Sequence, residues 1–285
     1  MTLRLCAFAD EASPSLEKQV EALKRNKISL IELRNINGEN ISKITQERAK
    51  EYAEYLKCNG ISVWSIGSPL GKINIEDDFE EHLKLTEHVS NLAKIFETDK
   101  VRMFSFFLSD HIKHRDEVIE RLNKMVKIAS KNNICLYSEN EKDIYCDMAK
   151  YTIDILDNVK GLKSIFDPAN YIQCGQNIDE AFDRLVDRTD YFHIKDAILG
   201  SNEVVPAGKG NGKIEEMIKR IKKDAVVSIE PHLKIFSGFN DIDKHNLKNK
   251  YFFNSNEEAF DAAVDAVKLL LKNIGYIEKN GLWII

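Results

Sequence analysis

A chain of 285 residues with 43% hydrophobic content can bury a substantial core, and it contains no run of about 18 apolar residues, so no transmembrane helix is expected. Lys and Arg number 41 against 46 Asp and Glu, a net charge of −5 with no block of like charges, which disfavours a nucleic-acid partner. The five cysteines, Cys6, Cys58, Cys135, Cys146 and Cys174, are irregularly spaced without a CxxC pair, which argues against a disulfide framework and against a thiolate zinc site.

The first segment, MTLRLCAFADEAS, is apolar over too short a span for a signal peptide, and the expected location is the cytoplasm. From there short apolar runs alternate with amphipathic segments. Strands are expected at 3–8, 28–33, 62–66, 101–107, 134–138, 163–166, 191–194 and 225–229. Between them SLEKQVEALKRN, TQERAKEYAEYLKCNG, DFEEHLKLTEHVSNLAKIF, RDEVIERLNKMVKIASKNN and IEEMIKRIKK repeat apolar residues at helical spacing, while 142–159 is patterned more weakly. Strand then helix, eight times over, predicts an α/β fold, a (β/α)₈ TIM barrel forming a single domain over 1–285. A doubly wound open sheet is the competitor. Near-equal repeat lengths and the lack of GxGxxG after the first strand weigh against it. Residues 231–254 form a long polar stretch expected to cover the rim, followed by a last outer helix in EEAFDAAVDAVKLLLKN. The tail GYIEKNGLWII is expected to pack on the barrel exterior, with a subunit contact as the sharper reading.

Four polar residues close four successive apolar runs: Glu139 in ICLYSEN, Asp167 in LKSIFDPAN, His193 in DYFHIKD and Glu230 in AVVSIEP. A barrel of parallel strands aims all four at one rim. Any one alone would be an ordinary solvated or core residue; together they make a candidate site for one divalent cation. The mixed oxygen and nitrogen donors suit Mn, Co, Mg or Zn. Glu11 and Glu32 also end early strands, and Glu32 is a candidate contact for substrate hydroxyls. Lys195 follows His193 by two and His232 follows Glu230 by two, the same-face spacing of a strand, so both are candidate substrate contacts, as is Asn170, three residues past Asp167. Asp196 points the other way and reads as structural. Lys72 sits in the tight loop of Gly67, Ser68, Pro69 and Gly71, from which it could reach a hydroxyl, carboxylate or phosphate; the plain alternative is a βα turn. The glycines of Gly208-Lys209-Gly210-Asn211-Gly212 allow close backbone approach, but the stretch lacks a nucleotide-phosphate motif.

In order along the chain, IELRNINGENI, SIGSPLGKINI, SENE, FDPAN, HIKD, PAGKGNG and IEPH resemble the xylose isomerase-like TIM barrel superfamily, in the branch containing tagatose 3-epimerase, inosose dehydratase and keto-glycoside epimerases. The resemblance spans nearly the whole chain. It implies that Glu139, Asp167, His193 and Glu230 hold the metal and that Glu139 and Glu230 face opposite sides of a sugar or cyclitol, one removing a proton next to a carbonyl and the other returning it through an enediolate. The implied activity is a metal-dependent sugar isomerase or epimerase, with a dehydratase acting on an inosose or keto-glycoside as the alternative and a homodimer as an option. Two departures bear on substrate. Asn170 stands where the tagatose 3-epimerase type has a histidine, and Ala197, Ile198 and Leu199 follow HIKD where that type has a sugar-gripping arginine. Endonuclease IV-like repair enzymes share the barrel but need three metals and more histidines than the seven here, of which His111 is the one candidate extra ligand. A non-catalytic sugar-binding barrel is the third reading.

Overall fold

The computed structural model describes residues 1–201, 203–234 and 251–285. Most of the polar stretch expected to cover the rim, 235–250, lies outside the described residues. Eight parallel strands close on themselves: β1 (Thr2–Ala7), β2 (Leu30–Leu33), β3 (Ser62–Gly67), β4 (Lys100–Met103), β5 (Cys135–Glu139), β6 (Lys163–Phe166), β7 (Thr189–Ile194) and β8 (Ala225–Ile229). Closure is made by β1, which pairs in parallel with β2 on one side and with β8 on the other. Parallel strands covered by helices are buried on both faces, and the fully buried LIEL of β2 and AVVSI of β8 have the near-continuous apolar character this demands.

The outer layer is α1 (Leu16–Arg25), α2 (Gln46–Cys58), α3 (Glu80–Ile95), α4 (His111–Lys131), α5 (Ala149–Asn158), α6 (Pro168–Gln173), α7 (Ile178–Leu185), α8 (Ile214–Arg220) and α9 (Asn256–Asn273). In α1, Leu16, Gln19, Val20 and Leu23 form the buried stripe that three- and four-residue spacing requires. Thr45, Asp110, Asn177 and Ser255 cap their helices by accepting backbone N–H groups with their side chains.

The structure corrects one expectation and refines two. The fourth strand ends at Met103 rather than at 107, because Phe106 takes a left-handed φ of 67° and the chain turns to pair with its neighbours: Phe104 N donates to Leu70 O, Phe107 N to Ile73 O and Leu108 N to Asp143 O. The weak pattern at 142–159 resolves into a short 3₁₀ turn, Tyr145–Asp147, before α5. The tail is a β-hairpin, β9 (Ile277–Lys279) and β10 (Leu282–Ile284), turning on Asn280 and Gly281, both with positive φ. The second strand pairs antiparallel with the start of β1 and buries Trp283. It lengthens the sheet at the end of the barrel opposite the candidate site.

Candidate metal centre and its cavity

Glu139 is the last residue of β5 and His193 the penultimate residue of β7, while Asp167 and Glu230 follow directly on β6 and β8. All four are buried, and one ligand atom from each lies within 4.8 Å of the other three. The two oxygens of Asp167 are divided between tasks. Oδ1 accepts the Asn170 N–H at 3.0 Å as the N-cap of α6, with Pro168 in the first turn, and Oδ2 lies 3.0 Å from Lys195 Nζ. Asn140 locks the Asp167 backbone, accepting its N–H and donating to its carbonyl, both at 2.9 Å.

His193 stands between two carboxylates, with Nδ1 2.8 Å from Glu139 Oε1 and Nε2 3.1 Å from Glu32 Oε2. Tyr191 donates its hydroxyl to the other Glu32 oxygen at 3.3 Å. Glu32 thus sits inside the barrel beneath the centre, where it orients the imidazole from its far nitrogen, as the outer partner of a ligating histidine does. Burial opposes protonation of His193, but Glu139 and Glu32 outweigh it and raise its pKa well above the usual value. Burial would raise Glu139, yet His193 and Arg102 hold it below the ordinary carboxylate range; for Glu230 burial is likewise overcome, by Lys195, His232, His193 and Arg34. Asp167 goes the other way, pushed up to about 7 by burial against the pull of Lys195.

Two arginines that the sequence did not single out complete the charge balance. Arg34, just past β2, donates from Nε and Nη2 to both Asp10 oxygens at 2.9 and 3.0 Å, from Nη2 to Glu11 at 3.0 Å, and from Nη1 to Glu230 Oε1 at 3.0 Å. Arg102, inside β4, donates to Glu139 Oε2 at 3.1 Å and to the Gly67 carbonyl at 3.2 Å. Each glutamate of the cluster therefore has one oxygen on an arginine and the other facing His193 or Lys195. Glu11 is pushed up to about 8 by burial, against Arg34, and accepts the His232 backbone N–H at 2.6 Å.

Above the cluster opens a cavity of about 390 Å³. Lys72, Asn170, Lys195 and His232 stand on its wall with Glu139 and Glu230; Glu32 is not among the lining residues. His111, the candidate extra ligand, is spent on Asp147 at 3.1 Å and stacks on Tyr151. Asp196 accepts four backbone N–H groups, from Ala197, Gly208, Gly210 and Gly212, and a Cβ at Gly210 would lie 2.3 Å from its carboxylate, so the glycine loop folds around this chain's own anion. The residues of the cluster fit a divalent cation: three carboxylates and one imidazole converge, and Asp167 Oδ2 is buried without a hydrogen bond, turned toward the cluster beside Lys195.

The family model of the xylose isomerase-like TIM barrel matches residues 20–244. Similar solved structures include the probable 3-DHS dehydratase AsbF of Bacillus anthracis, at 18% identity and TM-score 0.71, covering 94% of this chain and 99% of that one. An IOLI protein with a bound zinc atom matches at 16% identity and TM-score 0.74 over 95% of this chain and 98% of its own. D-psicose 3-epimerase, solved in the presence of D-fructose, matches at 15% identity and TM-score 0.72 over 94% and 98%. No curated protein matches the sequence.

Proposed function

The chain belongs to the xylose isomerase-like TIM barrel family, and from that premise we propose that it is a divalent-metal-dependent sugar isomerase or epimerase, working by proton transfer next to a carbonyl. The observation that carries this reading is the convergence of Glu139, Asp167, His193 and Glu230 within 4.8 Å at the inner end of the cavity. These four would hold one Mn, Co, Mg or Zn ion, which when bound polarises the substrate carbonyl. The residues supply the rest. Glu139 and Glu230 are held in their anionic forms by the cations around them, so either serves as the base. Return of the proton by that same carboxylate to the neighbouring carbon makes an isomerase, whereas an epimerase needs the opposite carboxylate to take a proton from solvent and deliver it to the other face. Arg34 and Arg102 fix one oxygen of each, and the other lies beside His193 in Glu139 and beside Lys195 in Glu230. Lys195 and His232 on the wall are placed to receive substrate oxygens. A dehydratase begins with the same proton removal and then loses a hydroxyl, and the probable dehydratase among the similar folds keeps that outcome in the test.

The experiment is incubation of the metal-loaded protein with ketoses and inososes in D₂O, followed by NMR. Deuterium entering the carbon beside the carbonyl, lost in Glu230→Gln, supports the reading, and a new olefinic signal assigns the dehydratase. Full exchange activity in Glu230→Gln removes that residue from the mechanism.

A further inference from the structure

Three cations face the cavity, and each is ion-paired with a carboxylate of the site or its wall. Lys72 lies 2.8 Å from Glu141, Arg102 3.1 Å from Glu139, and Lys195 3.0 Å from both Asp167 and Glu230. A fourth, Lys142, shares the wall with Asp77 and Asp143. Two aromatic rings stand among the polar side chains of the wall. Phe104 has Lys72 Nζ 4.3 Å from its ring centroid and the Arg102 guanidinium at 4.8 Å, and Phe107 and Ile73 stand beside it.

This wall is rigid. The loop after β3 and the loop after β4 are laced together by Phe104 N to Leu70 O at 2.7 Å, Phe106 N to Gly71 O at 3.1 Å and Phe107 N to Ile73 O at 2.9 Å. Gly71 has a φ of +83°, and a Cβ there would lie 1.8 Å from the Phe104 carbonyl. Only glycine lets the two loops close this way, and their closure sets Lys72 over Phe104 against Glu141.

We infer that Lys72, Glu141 and Phe107 form a specificity subsite for the ring or hydroxylated chain of an uncharged polyol, and that the substrate is not phosphorylated. This rests on the reading of the cavity as the place where a carbonyl substrate lies. A hydroxyl both donates and accepts, and an ammonium paired with a carboxylate offers one partner of each kind. The C–H face of a polyol covers Phe107 and Ile73, the apolar side chains that the otherwise polar and charged wall leaves partly exposed. A phosphate dianion needs donors in excess of acceptors. Here it meets Glu141, Asp77 and Asp143 along with the lysines.

The test measures binding by isothermal titration to the full-length, metal-loaded chain, with D-fructose against D-fructose 6-phosphate and myo-inositol against its 1-phosphate. Wild type should bind the neutral member of a pair at least about 10-fold more tightly. Glu141→Gln, which keeps the shape and removes the negative charge, should narrow that ratio by about 10-fold or invert it by leaving Lys72 to the phosphate. Lys72→Met should weaken the neutral ligand by about 10-fold. A wild type that prefers the phosphates, one that binds neither neutral ligand, or a ratio unmoved in both variants overturns the inference. Deuterium exchange is read separately: its absence with the ratios intact sinks the proposed reaction and leaves the subsite standing, and exchange with altered ratios does the reverse.

Discussion

The two glutamates at the centre of the site are gripped by arginines from two sides, and the sides are built differently. Arg34 is sealed, with a side-chain exposure of 0%, and is locked by both Asp10 oxygens and by Glu11 before it reaches Glu230. Arg102 stands on the cavity wall, held by Glu139 and one backbone carbonyl, and its Nε makes no hydrogen bond. The sealed side is scaffold, since its hydrogen bonds fix where Glu230 points. On the proposed reading, the cavity side is the one a substrate would meet. That reading assigns stability to one guanidinium and recognition to the other, according to the number of carboxylates committed to each.

The largest expected effect falls where the two sides meet. Glu230→Gln should cut turnover by ~10²–10⁴-fold, read by deuterium exchange, with the folded circular dichroism spectrum kept. Arg34→Met comes next: it strands Asp10, Glu11 and Glu230 in the interior and should cost about 3–5 kcal/mol, measured by urea unfolding. Arg34→Lys should recover little of this, because a point charge cannot span both Asp10 oxygens. Arg102→Lys should instead lose less stability than Arg34→Lys while raising KM in the exchange assay, since it keeps a cation near Glu139 and gives up one carboxylate contact and the Gly67 carbonyl rather than a fork on three carboxylates. If Arg34→Lys and Arg102→Lys prove equally destabilising, the division into scaffold and recognition collapses.

What the sequence disclosed follows the same line. The barrel was legible because parallel strands are written as short apolar runs, and the buried cluster proposed to hold a metal because Glu139, Asp167, His193 and Glu230 each break such a run at its end. Arg34 and Arg102 were not singled out, although a signal existed. Glu32 and Arg34 are two apart in LIELR, hence on one face of an extended chain, and Arg102 sits between Val101 and Met103 inside a strand. A charge at such a position is buried and must be paired. Its partners, however, lie far away in sequence: Glu230 is 196 residues from Arg34, and Glu139 is 37 from Arg102. Glu32 was noticed for its place at a strand end and lies on the inner face, under His193 rather than against the cavity. The tail hairpin carried the plainest missed signal, the Asn280-Gly281 pair between apolar runs, which favours a tight turn with both residues at positive φ.

The smallest expected effect tests whether the recognition side is held by a titratable anchor. His82 of α3 is buried, and its Nε2 accepts the Gly71 N–H at 2.7 Å, so the loop that carries Lys72 hangs on a neutral imidazole. Burial, with Arg121 adding to it, pushes the His82 pKa down to about 4. In the unfolded chain the value is about 6.5, so between these limits the unfolded state binds the extra proton. The stability due to neutral His82 is therefore complete above about pH 6.5 and is lost as pH falls toward 4, by roughly 2–3 kcal/mol at the low end. His232, whose pKa burial also lowers, adds to the same slope, so the informative quantity is the difference between wild type and a variant at this one site. His82→Gln keeps an acceptor for Gly71 without the titration. Urea unfolding at pH 7 and pH 4.5 should show the wild type losing more stability than the variant by about 1–2 kcal/mol. Parallel losses in the two proteins would mean that the Gly71 hydrogen bond is not what titrates, and that the cavity wall is held by the backbone lacing alone.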